Sequence, residues 1–237
     1  MARPSESLPA AAEPRGGRRR AALRFVGAVL ALSGALLLLD VGVTLVWHEP
    51  VSAFLAARGQ NTLERDLSAE TQRFGHSVNV APARRPSERR ALARTAREFA
   101  ARLDTGDAFG RVAMPTLDRS YVVAEGTDAD TLRSGPGHYA GTGLPGLRRT
   151  VALAGHRTTY LAPFAEVDEL ERGDPIVLTM PYGRFTYRVE STRIVDPSAV
   201  WVTERGSDRL VLTSCHPPFS AAQRIVVFAR LTTPAST

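Results

Sequence analysis

The sequence predicts an all-β domain that follows one membrane-spanning helix and a partly helical stalk. Three features indicate this organisation: an apolar segment at residues 25–47, a polar region at 48–108, and a series of short β-type segments within 109–237. The β-type segments are rich in Val, Ile, Thr and Tyr, are separated by turn residues, and read RVAMP, SYVVAE, TVALAG, PIVLTM, FTYRVESTRIV, LVLTS and RIVVFARL. Seven or eight strands in roughly 125 residues, with few helices, favour a barrel or a sandwich over an alternating α/β sheet.

The composition is that of a folded protein and gives little support to nucleic-acid binding. Of the 237 residues, 43% are hydrophobic, which is enough to build a core. All 30 basic residues are arginine, so chemistry through a lysine Schiff base is excluded. The net charge of +6 is concentrated near the N-terminus, because residues 1–24 hold six Arg and two acids, whereas 109–237 hold fourteen Arg and thirteen acids. We therefore expect no nucleic-acid partner.

The first 47 residues predict a basic tail and a signal anchor. Residues 1–24 are rich in Pro, Ala, Gly and Arg, as is typical of a flexible tail. Residues 25–47 hold one charge, Asp40, and exceed the ~20 residues that a helix needs to cross about 30 Å of hydrocarbon. A cleavable signal peptide is the alternative, because the uninterrupted part, Phe25 to Leu39, has the upper length of such segments. The anchor is favoured because apolar residues resume after Asp40 and end at Trp47.

The arginines before this span set the expected topology. By the positive-inside rule the tail is cytoplasmic, and everything after the span lies outside the membrane. The sequence thus predicts a single-pass protein of the cell membrane with an extracytoplasmic C-terminal domain.

Residues 48–108 predict a stalk with one amphipathic helix. Within PSERRALARTAREFAARLDTG, Ser87 is a candidate N-cap, and the apolar residues Leu92, Ala96, Phe99 and Leu103 recur at helical spacing. This narrow apolar stripe either docks on the following domain or belongs to a spacer that lifts the domain from the membrane.

Three residues of the C-terminal domain have the chemistry of a cysteine nucleophile with two helpers. Cys215, the single cysteine, ends the β-type segment LVLTS and cannot form an internal disulfide. His156 follows the segment TVALAG, and an imidazole is the partner that a thiol with a free pKa of about 8.5 requires. Arg224 begins RIVVFARL and offers a guanidinium to a developing oxyanion. Taken singly, each residue also fits a bland interpretation: an inert buried thiol, a surface imidazole, and one arginine among many.

Together these residues resemble the sortases, membrane-anchored cysteine transpeptidases of Gram-positive bacteria. The resemblance extends from about Gly110 to Leu231 and rests on AGH at 154–156, on LTSC at 212–215 followed by Arg224, and on GPGHYAGTGLPG at 135–146. Within the family the chain looks most like class E, the housekeeping-type enzymes of high-GC actinobacteria, because of AGHRTTYLAPF and LTSCHP. The resemblance implies an eight-stranded sortase β-barrel with short helices.

The resemblance also implies roles for individual residues. Cys215 is expected to be the nucleophile, His156 the acid/base partner and Arg224 the residue that stabilises the oxyanion or positions the substrate. Tyr139 and Ala140, in GHYAG, together with Thr213 and Ser214, are expected to contact the substrate. The chain departs from the common TLxTC pattern at Val211, which stands where a threonine is usual.

The resulting hypothesis is a transpeptidase acting on secreted proteins with a C-terminal sorting signal. It cleaves a Leu-Ala/Pro-x-Thr-Gly-type signal between Thr and Gly through a thioester and transfers the protein to an amine of a peptidoglycan precursor. One alternative is a pilin-polymerising or hydrolytic sortase relative. Another is a catalytically silent, membrane-tethered barrel that binds peptides.

No cofactor and no metal site are predicted. His48, His76, His138 and His216 show no metal-ligand spacing, and the last two are expected in loops. The acidic residues Glu166, Asp168, Glu169 and Glu171 are interpreted as the solvated face of a helix in LAPFAEVDELE rather than as a calcium site.

Overall fold

The computed structural model describes residues 16–47, 50–74, 85–204 and 207–232, which fall into two units separated after Trp47. The first unit is helix α1, Gly16–Trp47. Its part from Arg20 to Gly42 is long and apolar enough to cross a membrane. The helix thus begins inside the segment predicted as a flexible tail, because no proline follows Pro14 to interrupt the run of Arg and Ala. Residues 1–15 of that tail lie outside the described residues.

Two helices occupy the region predicted as a stalk. Helix α2, Pro50–Arg73, has no counterpart in the prediction, since its buried apolar residues are few: Ala56, Leu63 and Leu67. Helix α3, Pro86–Ala100, confirms the predicted amphipathic helix, although Arg85 rather than Ser87 precedes its first turn. Proline is well suited to the first helical position because its missing N–H has no acceptor there, so the helix starts at Pro86.

Both helices pack against the C-terminal domain. Leu63 and Leu67 of α2 form a small apolar cluster with Ala108, Val122 and Ala124. Ala96 and Phe99 of α3 belong to the main core, and Leu92 and Leu103 lie against it. The stripe predicted for α3 therefore docks on the domain, which answers the question that the sequence left open.

The C-terminal domain is a closed eight-stranded β-barrel, as predicted. Its strands are β1 Ala108–Met114, β2 Arg119–Glu125, β3 Gly137–His138, β4 Thr150–Ala154, β5 Pro175–Met180, β6 Gly183–Val195, β7 Arg209–His216 and β8 Gln223–Leu231. They close in the order β1-β2-β3-β4-β7-β8-β6-β5. The pairs β2–β3 and β4–β7 are parallel and the others are antiparallel. Two short helices complete the domain, α4 Ala129–Ser134 and α5 Trp201–Glu204.

The segment LAPFAEVDELE forms no α-helix, contrary to the prediction. Only a single 3₁₀ turn, Val167–Glu169, is present. Left-handed residues before Pro163 prevent a helical start, and Phe164, Val167 and Leu170 are all buried at intervals of three residues. That interval matches a 3₁₀ turn rather than an α-helix.

Alternation along the strands divides the barrel into an inner and an outer face. Leu210 and Leu212 of β7 point into the main core, whereas Val211 belongs to a separate outer cluster with Ala152, Val226 and Phe228. Tyr139, Val195 and Ala199 pack on this outer cluster. The outer face of β4, β7 and β8 is therefore covered along part of its length, and the strand ends beyond the cluster carry the residues predicted for catalysis.

Candidate active site

The strand register pairs Cys215 with Arg224 and leaves His156 just beyond the end of the neighbouring strand, so that the three form a row when the register is continued. Strands β7 and β8 pair Cys215 directly with Arg224. Strands β4 and β7 pair Ala154 with Thr213, and beyond the end of β4 the Gly155 N–H still donates to the Thr213 carbonyl over 3.1 Å. Continuing this parallel register by two residues sets His156 opposite Cys215. Because neighbouring strands lie about 4.8 Å apart, Cys215 lies beside Arg224, and the continued register puts His156 on the other side of Cys215 although the three are far apart in sequence.

The three side chains also share the outer face. Residues two apart in a strand point to the same side. Thus Cys215 follows Val211 and Thr213 in β7 and Arg224 precedes Val226 in β8. His156 stands two residues beyond Ala154, the last residue of β4, so the same alternation continued places it on this face. Since Val211, Val226 and Ala152 form the outer cluster, the row lies on the outer face of the barrel, next to that cluster at the ends of the strands.

Cys215 and His156 are both half-buried. The thiol is free of any disulfide and sits one residue before the end of β7. Burial lowers the pKa of His156 below its ordinary value of 6.5, because the surroundings disfavour the charged imidazolium. The imidazole is therefore biased toward its neutral form, which can accept a proton from a thiol.

Arg224 is fixed by its own loop. Its Nη1 atom donates to the carbonyl oxygens of Ala221 and Gln223, each over 3.0 Å. The described hydrogen bonds use this one nitrogen, so donors on Nε and Nη2 remain for another acceptor.

Tyr139 and Thr213 meet on the same face. The Thr213 hydroxyl donates to the Leu153 carbonyl over 3.3 Å, and the Tyr139 hydroxyl lies 3.0 Å from Thr213 Oγ1. Since the Thr213 proton is directed at Leu153, Tyr139 donates to Thr213. Tyr139 is half-buried beside Cys215's strand, and the exposed Ala140 follows it. Thr213 is thus a buried support beneath Tyr139.

Ser214 lies on the opposite side of β7. It is 3% exposed, and its hydroxyl donates to the Gly155 carbonyl over 2.7 Å. The structure therefore does not bring Ser214 to the face that holds Cys215. Its hydrogen bond instead connects β7 to Gly155, the residue between the end of β4 and His156.

His138, expected in a loop, is instead a buried residue of β3 and is 1% exposed. Its Nδ1 lies 2.6 Å from Glu125 Oε2, and its Nε2 lies 3.1 Å from the Gly143 carbonyl and 2.9 Å from Thr142 Oγ1. The ring stacks on Phe109 with centroids 4.1 Å apart. This network holds the segment that begins with Tyr139. The one local sign in the sequence that His138 lies in a tightly packed segment is the glycine before it, Gly137. In the structure any side chain at that position would clash with the Gly126 carbonyl.

The acidic residues considered for calcium are partly neutralised by arginine. Glu166 accepts two hydrogen bonds from Arg119, at 2.7 and 3.0 Å, and Asp168 forms an ion pair with Arg157 at 2.7 Å. Within the described part of the chain, no group of three or more His, Cys, Asp or Glu side chains could hold a metal ion.

A cavity of about 890 Å³ lies between α3 and the barrel, away from the row. Its lining includes Leu92 on α3, Asp208 just before β7 and Leu231 at the end of β8. Leu231 is seven residues from Arg224, or roughly 23 Å along an extended strand. The cavity therefore belongs to the other end of the barrel and plays no part in the candidate active site.

Comparison with known proteins identifies relatives of this domain. The model of the sortase domain matches residues 112–232. The chain is similar to Sortase D of Bacillus subtilis, with 35% identity over 136 residues that cover 55% of this chain and 67% of the relative. It is also similar to Sortase SrtE1 of Streptomyces coelicolor, with 32% identity over 145 residues that cover 54% of this chain and 41% of the relative.

A solved structure gives the same result in three dimensions. The crystal structure of Sortase E1 from Streptomyces coelicolor, with a tripeptide in the active site, aligns with a TM-score of 0.51 and 32% identity. The alignment covers 53% of this chain and 88% of that chain. The likeness thus includes nearly the whole of the solved domain.

Proposed function

Because the chain belongs to the sortase family of cysteine transpeptidases, we propose that it joins secreted proteins to the cell wall through the row Cys215, His156 and Arg224. The proposed substrate carries a Leu-Ala/Pro-x-Thr-Gly-type sorting signal, cleaved between Thr and Gly. The proposed acceptor is an amine of a peptidoglycan precursor. The observation that supports this most strongly is the register that pairs Cys215 of β7 with Arg224 of β8 and, continued past the end of β4, sets His156 opposite Cys215.

The acyl-enzyme forms when Cys215 attacks the threonine carbonyl. The thiol proton passes to His156, the sulfur–carbon bond forms, and the carbonyl electrons move to oxygen. As the oxyanion collapses, the carbon–nitrogen bond breaks and His156 returns the proton to the leaving glycine amine. The neutral bias of the His156 imidazole suits it to accept the first proton.

The second half of the reaction repeats these steps with a new amine. The nitrogen of the acceptor amine attacks the thioester carbonyl while His156 removes a proton from that amine. The Cys215 thiolate then leaves and takes the proton back from His156. One amide is thus exchanged for another without net hydrolysis.

Arg224 and Ala140 are the proposed oxyanion stabilisers. The Arg224 donors that its loop does not use can bind either the oxyanion or a backbone carbonyl of the signal. The backbone N–H of the exposed Ala140 is a second candidate donor.

Tyr139 is proposed to contact the Ala or Pro of the signal, with its hydroxyl held in place by the hydrogen bond to the buried Thr213. The partly buried Val195 and Ala199, which cover the outer cluster together with Tyr139, are the apolar side chains proposed to contact the leucine of the signal. Ser214 contributes indirectly by holding Gly155.

Mass spectrometry of the full chain in detergent, mixed with a sorting-signal peptide and triglycine, tests the proposal. Peptides with Leu-Ala-x-Thr-Gly and Leu-Pro-x-Thr-Gly are compared, and a triglycine-linked product is expected. The product should vanish in Cys215→Ala and fall at least ~100-fold in His156→Gln. The matched control His216→Gln, next to Cys215, should keep its activity.

The products separate the alternatives. Peptide cleaved after Thr but joined to no amine would indicate a hydrolytic relative. Peptide joined to a lysine of an added protein but not to triglycine would indicate a pilin polymerase. Unchanged peptide together with measurable peptide binding would indicate a silent barrel. For Arg224→Gln a loss of rate is expected, with Arg184→Gln, an exposed arginine of β6, as the matched control.

A further inference from the structure

The loop after β4 has an unusual backbone. Tyr160, Leu161 and Ala162 have φ values of 50°, 64° and 42°, so three consecutive residues other than glycine adopt the left-handed conformation. Side chains disfavour this conformation, which persists only where the surroundings impose it. The loop that begins with His156 is therefore held in shape by its contacts.

Contacts from three directions hold the loop. The Phe164 N–H donates to the His156 carbonyl over 3.1 Å, which closes the loop on itself. The Tyr121 hydroxyl of β2 donates to the Leu161 carbonyl over 3.4 Å. The Tyr160 N–H donates over 3.4 Å to the hydroxyl of Ser52, a buried residue of α2.

The result of this backbone shape is that Tyr160 lies against His156. The two ring centroids are 5.1 Å apart and the rings are tilted by 37°. This separation lies in the favourable range for paired rings. Among the residues that the structure describes, none makes a hydrogen bond with the Tyr160 hydroxyl, so the contribution of this side chain is its ring.

We propose that Tyr160 is a positioning residue for His156. The Tyr160 ring fixes the orientation of the His156 imidazole toward Cys215 and shields one side of the imidazole from water. The proposal rests on the proposed function, in which His156 exchanges protons with Cys215 and the amines. It extends that function, because the left-handed turn and its anchor on α2 become parts of the catalytic apparatus.

The environment of His156 makes the consequence measurable. Among titratable or charged groups, Tyr160 of its own loop contacts the His156 ring, the continued register places Cys215 of β7 beside it, and Arg224 of β8 lies beyond Cys215. The adjacent end of α2, residues 50–57, contains none. Burial is the cause that lowers the pKa of His156, so removing a covering ring is expected to raise it toward the ordinary 6.5.

Two substitutions in the full chain, in detergent micelles, test the proposal. Tyr160→Asn removes the ring with a residue that tolerates a positive φ, and Tyr160→Phe keeps the ring and removes the hydroxyl. Histidine-labelled protein is titrated by NMR, with the His156 signal assigned by its loss in His156→Gln. The kcat and KM of peptide transfer to triglycine are measured on the same samples.

We expect Tyr160→Asn to raise the titration midpoint of His156 and to lower kcat at least ~10-fold, with KM changed less than ~2-fold. Tyr160→Phe should match the unchanged protein in both measurements. Phe54→Ala, which removes an exposed ring from α2, is the matched control and should alter neither.

The proposal is overturned if the midpoint and kcat of the Asn variant equal those of the unchanged protein, or if the Phe variant loses as much activity as the Asn variant. If the Asn variant fails to fold, Tyr160→Gly, which suits a positive φ best, replaces it with the same expectations. Activity retained in His156→Gln would instead refute the proposed role of His156. The titration of His156 in the Tyr160 variants would still report whether the ring covers it.

Discussion

His138 and Glu125 join two strands through a pair of buried ionisable side chains. The side chains are only 2% and 12% exposed, respectively, and both nitrogens of the imidazole face oxygen acceptors. Removing one partner of a buried pair leaves the other without compensation, which destabilises proteins by about 3–5 kcal/mol. The same pair holds the start of the segment that carries Tyr139, so it supports the candidate active site from below.

We therefore expect His138→Ala to lower the free energy of unfolding by about 3–5 kcal/mol. Urea denaturation of the purified chain measures this change, with His216→Ala as the control that leaves the pair intact. A loss below about 1 kcal/mol would mean that the Glu125 carboxylate finds water or another donor.

His156 predicts a pH dependence of stability whose sign follows from its lowered pKa. In the unfolded chain its pKa is near 6.5 and in the folded chain it is lower, so just below pH 6.5 the unfolded state binds more protons. The contribution of this group to the free energy of unfolding is therefore fully present above pH 6.5. It is lost as the pH falls from 6.5 through the lowered pKa of the folded state. Denaturation of the protein and of His156→Gln at about pH 7.5 and about pH 5.5 should show a smaller acid loss in the variant. Equal losses would contradict the burial of His156, and His216→Gln should behave as the unchanged protein.

At the scale of elements, one side-chain amide of α2 binds backbone groups of the C-terminal domain. The Gln60 Nε2 donates to the carbonyls of Val122 and Ser134 over 2.9 and 2.7 Å, and its Oε1 accepts from the Val122 N–H at 2.8 Å. Val122 belongs to the part of β2 that β3 does not reach, since β3 pairs only with Ala124 and Glu125. The side chain of Gln60 thus satisfies backbone groups that the short β3 leaves unpaired.

Gln60→Ala is expected to destabilise the protein by about 1–3 kcal/mol, because it leaves the Val122 N–H and two carbonyls without their partner. Neighbouring Asn61, which is exposed, provides the control Asn61→Ala with a change within about 0.5 kcal/mol. Hydrogen exchange at the Val122 amide, faster in Gln60→Ala only, locates the effect. Unchanged exchange at Val122 would show that this hydrogen bond does not hold α2 to β2.

Some elements were predictable from local pattern and others were not. The strands and α3 carry their own signals, β-type runs between turns and a helical stripe such as Leu92, Ala96 and Phe99. Helix α2 carries a weak signal, because it is held by the amide of Gln60 and by few apolar side chains, Leu63 and Leu67. At the site, Cys215 stands out as the single cysteine and Arg224 by its position at the start of the β-type segment that follows Cys215. Tyr160 instead depends on a left-handed turn set by Ser52 and Tyr121, residues distant in sequence. Such contacts leave no local pattern.

For the whole molecule, the apolar helix α1 and the single cysteine allow the proposed topology to be tested directly. Helix α1 contains the one segment of the described residues that is long and apolar enough to cross a membrane. Cys215 is half-buried and is the only thiol in the chain. A maleimide that cannot cross membranes therefore reports which side of the membrane Cys215 occupies.

We expect intact cells that express the full chain to be labelled at Cys215, with the labelled protein in the membrane fraction. A second protein, with Cys215→Ala and Ser7→Cys, should be labelled only after the membrane is permeabilised, because its thiol lies in the predicted cytoplasmic tail. Labelled Cys215 in the soluble extracellular fraction, on a chain shortened by cleavage after the apolar segment, would favour the signal-peptide alternative. Labelling of Cys215 only after permeabilisation would place the barrel in the cytoplasm and would contradict the proposed access to secreted substrates, since α1 would then hold the candidate active site on the wrong side of the membrane.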